Sequence, residues 1–336
     1  MEPTKRNIHF DLVRVIAMTL VIAVHSNPKP FAETSLAGIC FYTILYMCNG
    51  LFYMLSGNLN LRKEFSTKKD YITFYKNKCI TLLLPFCLGS ILQSIYNYEG
   101  DFRISWMIKT IIRNFFSDNS GTSLWFMYPL IGMILSTPFL SKMLHTMKDW
   151  EIKLLFSIGV IWQIFSIYLP TFLEISFAFN SWLLSSWMFH YFLGYFAQQI
   201  VTSYNKKKFY AWALMGFLIT ILSKYYLKDT FIYAYDLSLA HILLTLGIYI
   251  FVNNEISIQS SSFQKTIVGI STHSFTIYLI HNIVKKELNK ILEKAILMPV
   301  LRYFMHFTLT FCISLLLAVI INKLVLVPLQ KFLRKL

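Results

Sequence analysis

Long apolar runs recur along the whole of this 336-residue chain. Many of them approach the ~20 residues that a helix needs to cross a bilayer. The composition agrees, with 56% hydrophobic and 14% charged residues, whereas soluble domains carry roughly a quarter charged residues. No extramembrane segment is long enough to bury a core of its own. The sequence therefore predicts one all-α, multi-pass membrane domain over residues 1–336.

The hydropathy pattern predicts about ten transmembrane helices, separated by proline-containing or short polar segments. Residues 102–116 carry three basic side chains among their apolar ones and are predicted to form an interfacial or re-entrant helix, and residues 285–300 look similar. The predicted spans are 10–28, 36–57, 79–97, 124–141, 153–170, 182–201, 209–226, 236–253, 267–285 and 303–325.

The distribution of charge predicts that both termini are cytoplasmic. With that orientation, 20 of the 31 basic and 7 of the 16 acidic residues lie inside, a net +13 against +2 outside. This asymmetry follows the positive-inside rule. One basic patch disagrees, because Lys285, Lys286, Lys290, Lys294 and Arg302 fall outside.

The net charge of +15 does not indicate a nucleic-acid-binding protein. The basic residues sit in short loops between spans, where anionic lipid of the bilayer attracts them, and no nucleic-acid-binding motif is present. The five cysteines form no CxxC pair or ligand-like array. We therefore expect no disulfide framework, no metal and no nucleic-acid partner.

Arg14 and His25 lie on one face of the first predicted span. They are eleven residues apart, which returns to nearly the same side of a helix and corresponds to ~16 Å along its axis. Charged and imidazole side chains are costly in lipid and usually face a cavity or a partner. His25 is therefore the candidate general base. The alternative for His25 is a buried structural histidine that is hydrogen-bonded to a neighbouring carbonyl. The alternatives for Arg14 are that its side chain extends to the inner interface or that Asp11 merely orients its guanidinium.

Two further pairs are candidates for substrate binding. Ser56-Gly57 combines a hydroxyl with a residue that lets a backbone approach a ligand, although small residues also serve helix packing. Lys76 and Lys78, at the cytoplasmic start of the third span, are candidates for holding phosphate. Lipid head groups are the alternative partner for these lysines.

The outer ends of two later spans carry aromatic and histidine side chains. Trp125 and Tyr128 belong to an aromatic cluster that an interfacial belt explains, although such donors also suit a sugar. Tyr278 and His281 lie near the outer end of the ninth span, where His281 is a second candidate histidine. His190, His241 and His306 are also intramembrane, with no supporting pattern around them.

Together these features resemble the acyltransferase-3 family of integral-membrane acyltransferases, over nearly the whole chain. One departure concerns the third span, where members commonly carry two arginines three residues apart before the proline; here Lys78 and Thr81 stand there. The matching features are Asp11 to Arg14 with His25, Phe52 to Ser56-Gly57, Phe74-Tyr75 before Pro85, Leu124-Trp125-Phe126 before Thr137-Pro138, Tyr191 to Gly194-Tyr195, and Ile277-Tyr278 to His281.

The resemblance implies an O-acyltransferase of the bacterial cytoplasmic membrane. Its donor would be acyl-CoA, most simply acetyl-CoA, used as a substrate and not as a bound cofactor. Its acceptor would be a hydroxyl of an envelope polysaccharide or lipid-linked glycan. Arg14, Lys76 and Lys78 would then contact the donor phosphates, and the thioester would reach His25.

Two alternatives stay open at this point. A polysaccharide or small-molecule transporter would also carry ten spans with charges inside the membrane, although no inverted repeat is visible. The second alternative is a degenerate member of the family that binds its substrate but no longer catalyses. The departure at Lys78 and Thr81 keeps this alternative open. The acyl group, the acceptor sugar, direct transfer against an acyl-enzyme intermediate, the oxyanion donors and the oligomeric state are undetermined.

Overall fold

The computed structural model describes residues 6–98, 104–116, 124–175, 177, 183–184, 186–203, 206–227, 235–295 and 298–335. All regular secondary structure in these ranges is helical, as the sequence predicted. The helices are α1 Ile8–His25, α2 Leu36–Leu45, α3 Met47–Leu61, α4 Lys68–Lys78, α5 Leu84–Tyr96, α6 Ile104–Phe116, α7 Met127–Thr146, α8 Asp149–Leu173, α9 Trp187–Ser203, α10 Lys206–Leu227, α11 Leu239–Asn254, α12 Ser261–Ala295, α13 Pro299–Ile321 and α14 Val327–Lys335. Two π-helical segments, Cys79–Leu83 and Asn322–Leu326, join α4 to α5 and α13 to α14.

Eight helical stretches in the described residues are long and apolar enough to cross a membrane. They include each of the predicted spans except the sixth and the eighth. Those two correspond to α9 and α11, which are apolar but have only 17 and 16 residues. Residue 182, where the sixth predicted span begins, lies outside the described residues. The chain is an all-α multi-pass membrane protein.

The interfacial segment predicted over 102–116 is helical from Ile104, and residues 102–103 lie outside the described residues. The prediction of a similar separate segment over 285–300 is wrong, because α12 continues without a break to Ala295. Its 35 residues measure ~52 Å, which exceeds the ~30 Å hydrocarbon thickness. A continuous helix satisfies its own backbone beyond the membrane, so no separate element is needed.

The chain divides into two compact units. The first contains the described residues of Met1–Val24, Phe31–Phe65 and Ser136–Ser271. Within it, α3 packs against α9 at two glycines. A Cβ on Gly57 would lie 1.7 Å from the Tyr191 carbonyl oxygen, and one on Gly194 would lie 1.7 Å from the Met54 carbonyl oxygen. This backbone contact requires glycine on both helices.

The second unit contains His25–Pro30, Ser66–Leu135 and Thr272–Leu336. Here α5 packs against α12, and the Gln93 side-chain amide donates to the Leu279 carbonyl oxygen at 2.7 Å. Near the C-terminus, the Gln330 amide on α14 donates to the Ile80 carbonyl oxygen at 3.2 Å. These bonds satisfy polar groups that lipid cannot. One links α5 to α12, and the other links α14 to the π-helical segment that precedes α5.

Candidate active site

His25, the last residue of α1, lies beside His281 of α12 in the second unit. The two ring centroids are 5.4 Å apart, with the ring planes tilted by 36°. His25 is half-buried, whereas His281 is fully buried. Both residues were predicted as candidates from separate segments of the sequence, and the fold brings them together. A half-buried histidine beside a buried one is an arrangement that suits proton transfer.

A backbone contact sets the proton position of His281. Its Nδ1 lies 2.7 Å from the Tyr278 carbonyl oxygen. A carbonyl only accepts hydrogen bonds, so Nδ1 carries the proton and Nε2 of the neutral ring presents a lone pair. Nε2 is buried and has no hydrogen-bond partner among the described residues. His281 therefore presents a buried acceptor in the immediate neighbourhood of His25.

His306 of α13, which showed no supporting pattern in the sequence, connects the two segments that carry this pair. The backbone N–H of Asn27 donates to its Nδ1 at 3.4 Å, and its Nε2 lies 3.0 Å from the Lys285 carbonyl oxygen. Since Nδ1 accepts, Nε2 carries the proton and donates to Lys285. Asn27 follows His25 by two residues and Lys285 follows His281 by one helical turn. The fully buried His306 thus joins the segment that follows α1 to the part of α12 that carries His281. We call these two hydrogen bonds the His306 clamp.

Two lysines add positive charge near the histidine pair. Lys29 and Lys285 both interact electrostatically with His25. Lys285 lies four residues beyond His281, so that both side chains share a face of α12. In the sequence, Lys285 belongs to a basic patch that the predicted orientation did not explain. Its spacing of four residues from His281 is the sequence feature that indicates its place in this site. Neither Lys29 nor His306 carried such a signal.

The aromatic candidates occupy the same unit. The Tyr278 ring centroid lies 5.8 Å from that of His281 and 6.0 Å from that of Phe126. Tyr128 donates its hydroxyl to the Phe115 carbonyl oxygen at 2.8 Å, so its phenol proton already has an acceptor. Trp125 remains more exposed, at 37% of its surface. Tyr278 is the aromatic residue in direct contact with the pair, and no observation tests a sugar-binding role for any of the three.

Arg14 belongs to a polar network in the first unit. Its Nη1 lies 3.0 Å from Asp11 Oδ1 and 2.8 Å from Ser271 Oγ. The buried carboxylate also accepts from Ser271 at 2.6 Å and from Arg6 Nε at 2.6 Å. Its hydrogen bond raises the pKa of the Arg6 guanidinium, which precedes α1. Asp11 therefore orients the Arg14 guanidinium, one of the two alternatives for this residue, and a donor-binding role for Arg14 remains a prediction.

The other two predicted pairs have different surroundings. The close approach at Gly57 is made by the α9 backbone, which is the packing interpretation, and the Ser56 carbonyl accepts from Asn60 Nδ2 at 2.7 Å. Lys76 is exposed and Lys78 is half-buried, with its Nζ 5.4 Å from the centroid of the Phe74 ring. Neither observation tests binding. No group of three or more His, Cys, Asp or Glu in the described part of the chain could hold a metal ion.

Comparison with known proteins decides the family. A family model described as an acyltransferase domain, acyltransferase 3, matches residues 7–323. The chain belongs to the acyltransferase-3 family. The match extends from before α1 to the segment after α13 and thus covers both units. The family is one of membrane acyltransferases, in agreement with the multi-pass fold. Comparison with curated proteins and with solved structures gave no match.

Proposed function

We propose that this protein is an O-acyltransferase of the bacterial cytoplasmic membrane that uses His25 as its general base. The donor would be a cytoplasmic acyl-CoA, most simply acetyl-CoA, and the acceptor a hydroxyl of an envelope polysaccharide or lipid-linked glycan. The observation that carries the proposal is the pairing of His25 with His281 in a member of a membrane acyltransferase family.

His25 has the properties that a general base needs. It is the last residue of α1 and is only half-buried. In the proposed step the imidazole takes the hydroxyl proton while the acceptor oxygen attacks the thioester carbonyl carbon. The carbon–sulfur bond then breaks, and the imidazolium returns the proton to the departing thiolate. The products are an ester and free coenzyme A.

The neighbouring residues support this step. The buried Nε2 lone pair of His281 can accept a hydrogen bond from the His25 ring and thereby select one orientation of it. Lys29 and Lys285 are the candidates for stabilising the negative charge that develops on the thioester oxygen. Tyr128 is not a candidate for that role, because its hydroxyl already donates to the Phe115 carbonyl oxygen.

The experiment is transfer of labelled acetyl from acetyl-CoA to envelope glycan in membranes containing the wild type or a variant. We expect His25→Ala to lower the rate by ~10²–10⁴-fold, the usual contribution of a positioned base. The matched control is His9→Ala, which removes an imidazole from the other end of α1.

Three results are informative, provided that expression and membrane insertion match the wild type. Loss of label with His25→Ala alone supports the proposal. Near wild-type transfer by His25→Ala would overturn the role of His25 and make His281 the next residue to test. Relocation of the glycan without any change in its mass would favour a transporter.

A further inference from the structure

A cavity of about 600 Å³ lies in the second unit, away from the histidine pair. Its polar lining residues are His273 of α12, Asn322 and Lys323 of the second π-helical segment, and Lys331 of α14. Three aliphatic side chains complete the wall, and none of the described residues that line it is acidic. Short π-helical segments occur frequently at functional sites because they redirect side chains. The cavity thus combines apolar surface with positive charge.

A chain of hydrogen bonds makes His273 a donor toward this cavity. The Thr276 hydroxyl donates to Asn322 Oδ1 at 2.7 Å, so that the other end of the amide, Nδ2, faces His273 Nδ1 at 2.5 Å. An amide nitrogen only donates, and His273 Nδ1 therefore accepts. The proton of the neutral ring must then reside on Nε2. Thr276 and Asn322 in this way select the tautomer that has an N–H donor left for a ligand.

The remaining polar groups in the lining are also donors. Lys323 and Lys331 are exposed lysines whose ammonium groups make no hydrogen bond or ion pair in the described part of the chain. Two positive charges and one N–H donor, with no carboxylate among the described lining residues, suit an anion with several acceptor oxygens and more than one negative charge. A phosphoryl group has these properties.

The cavity is connected to both regions that matter for the proposed reaction. Gln330, next to Lys331, donates to the Ile80 carbonyl oxygen, two residues beyond Lys78. The C-terminal helix therefore reaches the segment in which the sequence predicted donor-phosphate contacts. On the other side, His273 precedes His281 by eight residues of α12, which is ~12 Å along the helix axis. An extended thioester-bearing arm of that length would join the cavity to the histidine pair.

We propose that the cavity lined by His273, Lys323 and Lys331 binds a phosphoryl group. This inference rests on the proposed function, in which the phosphoryl group belongs to the acyl-CoA donor. The headgroup of an anionic phospholipid offers the same chemistry, and the experiment below separates the two sources. Donor binding would then involve His273, Lys323 and Lys331, which belong neither to the family motifs nor to the pair Lys76 and Lys78 of α4.

The test compares three double variants of the full-length protein, in detergent for coenzyme A binding and in nanodiscs for stabilisation by lipid. Lys323→Gln with Lys331→Gln removes both charges from the cavity. Lys142→Gln with Lys208→Gln removes two exposed lysines elsewhere, also predicted to be cytoplasmic, and is the matched control. A third variant with arginine at both cavity positions keeps the charge and controls for folding. The probes are coenzyme A and nanodiscs of phosphatidylglycerol or phosphatidylcholine.

We expect the dissociation constant for coenzyme A to rise about tenfold or more in the cavity variant, through loss of charge-assisted bonds, and to change little in the control and arginine variants. In the transfer assay the KM for acetyl-CoA should rise while kcat is kept. If coenzyme A binding is unchanged but stabilisation by phosphatidylglycerol is lost, the phosphoryl group is a lipid's. If neither probe distinguishes the variants, the inference is wrong.

The outcome is separable from that of the proposed function. His25→Ala should bind coenzyme A as the wild type does, because its ring is not part of the cavity. Coenzyme A binding that depends on the lysines, in a wild type that transfers no acetyl group, would retain this site and reject the acyltransferase proposal. Normal transfer with an unchanged KM in the cavity variant would reject the site and retain the proposal.

Discussion

The His306 clamp predicts that a residue without substrate contact controls the rate of transfer. His306→Leu introduces an apolar side chain of similar size, which can neither donate to the Lys285 carbonyl oxygen nor accept from the Asn27 N–H. Both segments would lose a tie that fixes the separation between His25 and His281. We therefore expect kcat to fall while the KM for acetyl-CoA is kept.

The magnitude follows from the two bonds. The 3.0 Å bond to the Lys285 carbonyl dominates, because the contact with Asn27 is long at 3.4 Å. A buried polar group left without its partner costs about 1–3 kcal/mol. At about 1.4 kcal/mol per tenfold change, the geometry of the pair should loosen enough to lower kcat by about 5- to 150-fold.

The assay is acetyl transfer at saturating acetyl-CoA, together with thermal unfolding of the purified protein. Thr310→Val is the matched control, because Thr310 is buried one turn further along α13 and its hydroxyl has no hydrogen-bond partner in the described residues. His306→Gln supplies an amide donor and should recover part of the rate. Wild-type kcat in a stably folded His306→Leu variant would refute the reasoning, as would an equal loss in Thr310→Val.

Two further predictions concern the first unit. Gly57→Ala should destabilise the protein by about 3 kcal/mol or more, because the added methyl group would lie 1.7 Å from the Tyr191 carbonyl oxygen and overpacking usually costs about 1–3 kcal/mol. Gly132→Ala, whose methyl group would meet nothing within 4 Å, is its control in thermal unfolding, and an equal effect of the two would contradict the packing argument. Asp11→Asn should cost about 1–3 kcal/mol in chemical unfolding, less than the ~3–5 kcal/mol of a fully buried pair because the Arg14 side chain is 28% exposed. A stability equal to that of the wild type would show that the carboxylate charge is not needed there.

Much of the fold could be predicted from local sequence. Apolar runs of the right length identify membrane spans because lipid admits few other structures. The helix predicted over 102–116 is present from Ile104 to Phe116, and its interfacial or re-entrant position stays a prediction. At 285–300 the charged residues suggested a separate element, whereas α12 continues unbroken to Ala295. Hydropathy reports where a helix leaves lipid and not where it ends.

Some residues of the candidate site could be predicted from local sequence, and others could be recognised only from tertiary contacts. His25 and His281 were found by residue type and position, since imidazoles inside apolar spans are costly and uncommon. His306 was only one of three intramembrane histidines without a supporting pattern, because its importance lies in contacts with distant segments of the chain. Lys29 was not singled out. Ser56-Gly57 shows the converse case. A short motif suggested a ligand, and the tertiary contact of Gly57 is with the Tyr191 carbonyl.

The sequence by itself determined the class of fold, eight of the ten predicted spans as long apolar helices, and the family. Each of these depends on properties that a segment carries alone: its hydropathy, its length and the order of its motifs. Only the tertiary structure decided which histidines meet, which nitrogen of each ring holds the proton, and which lysines share a cavity with His273. Those features depend on hydrogen bonds and contacts between distant segments, whose geometry no local pattern encodes.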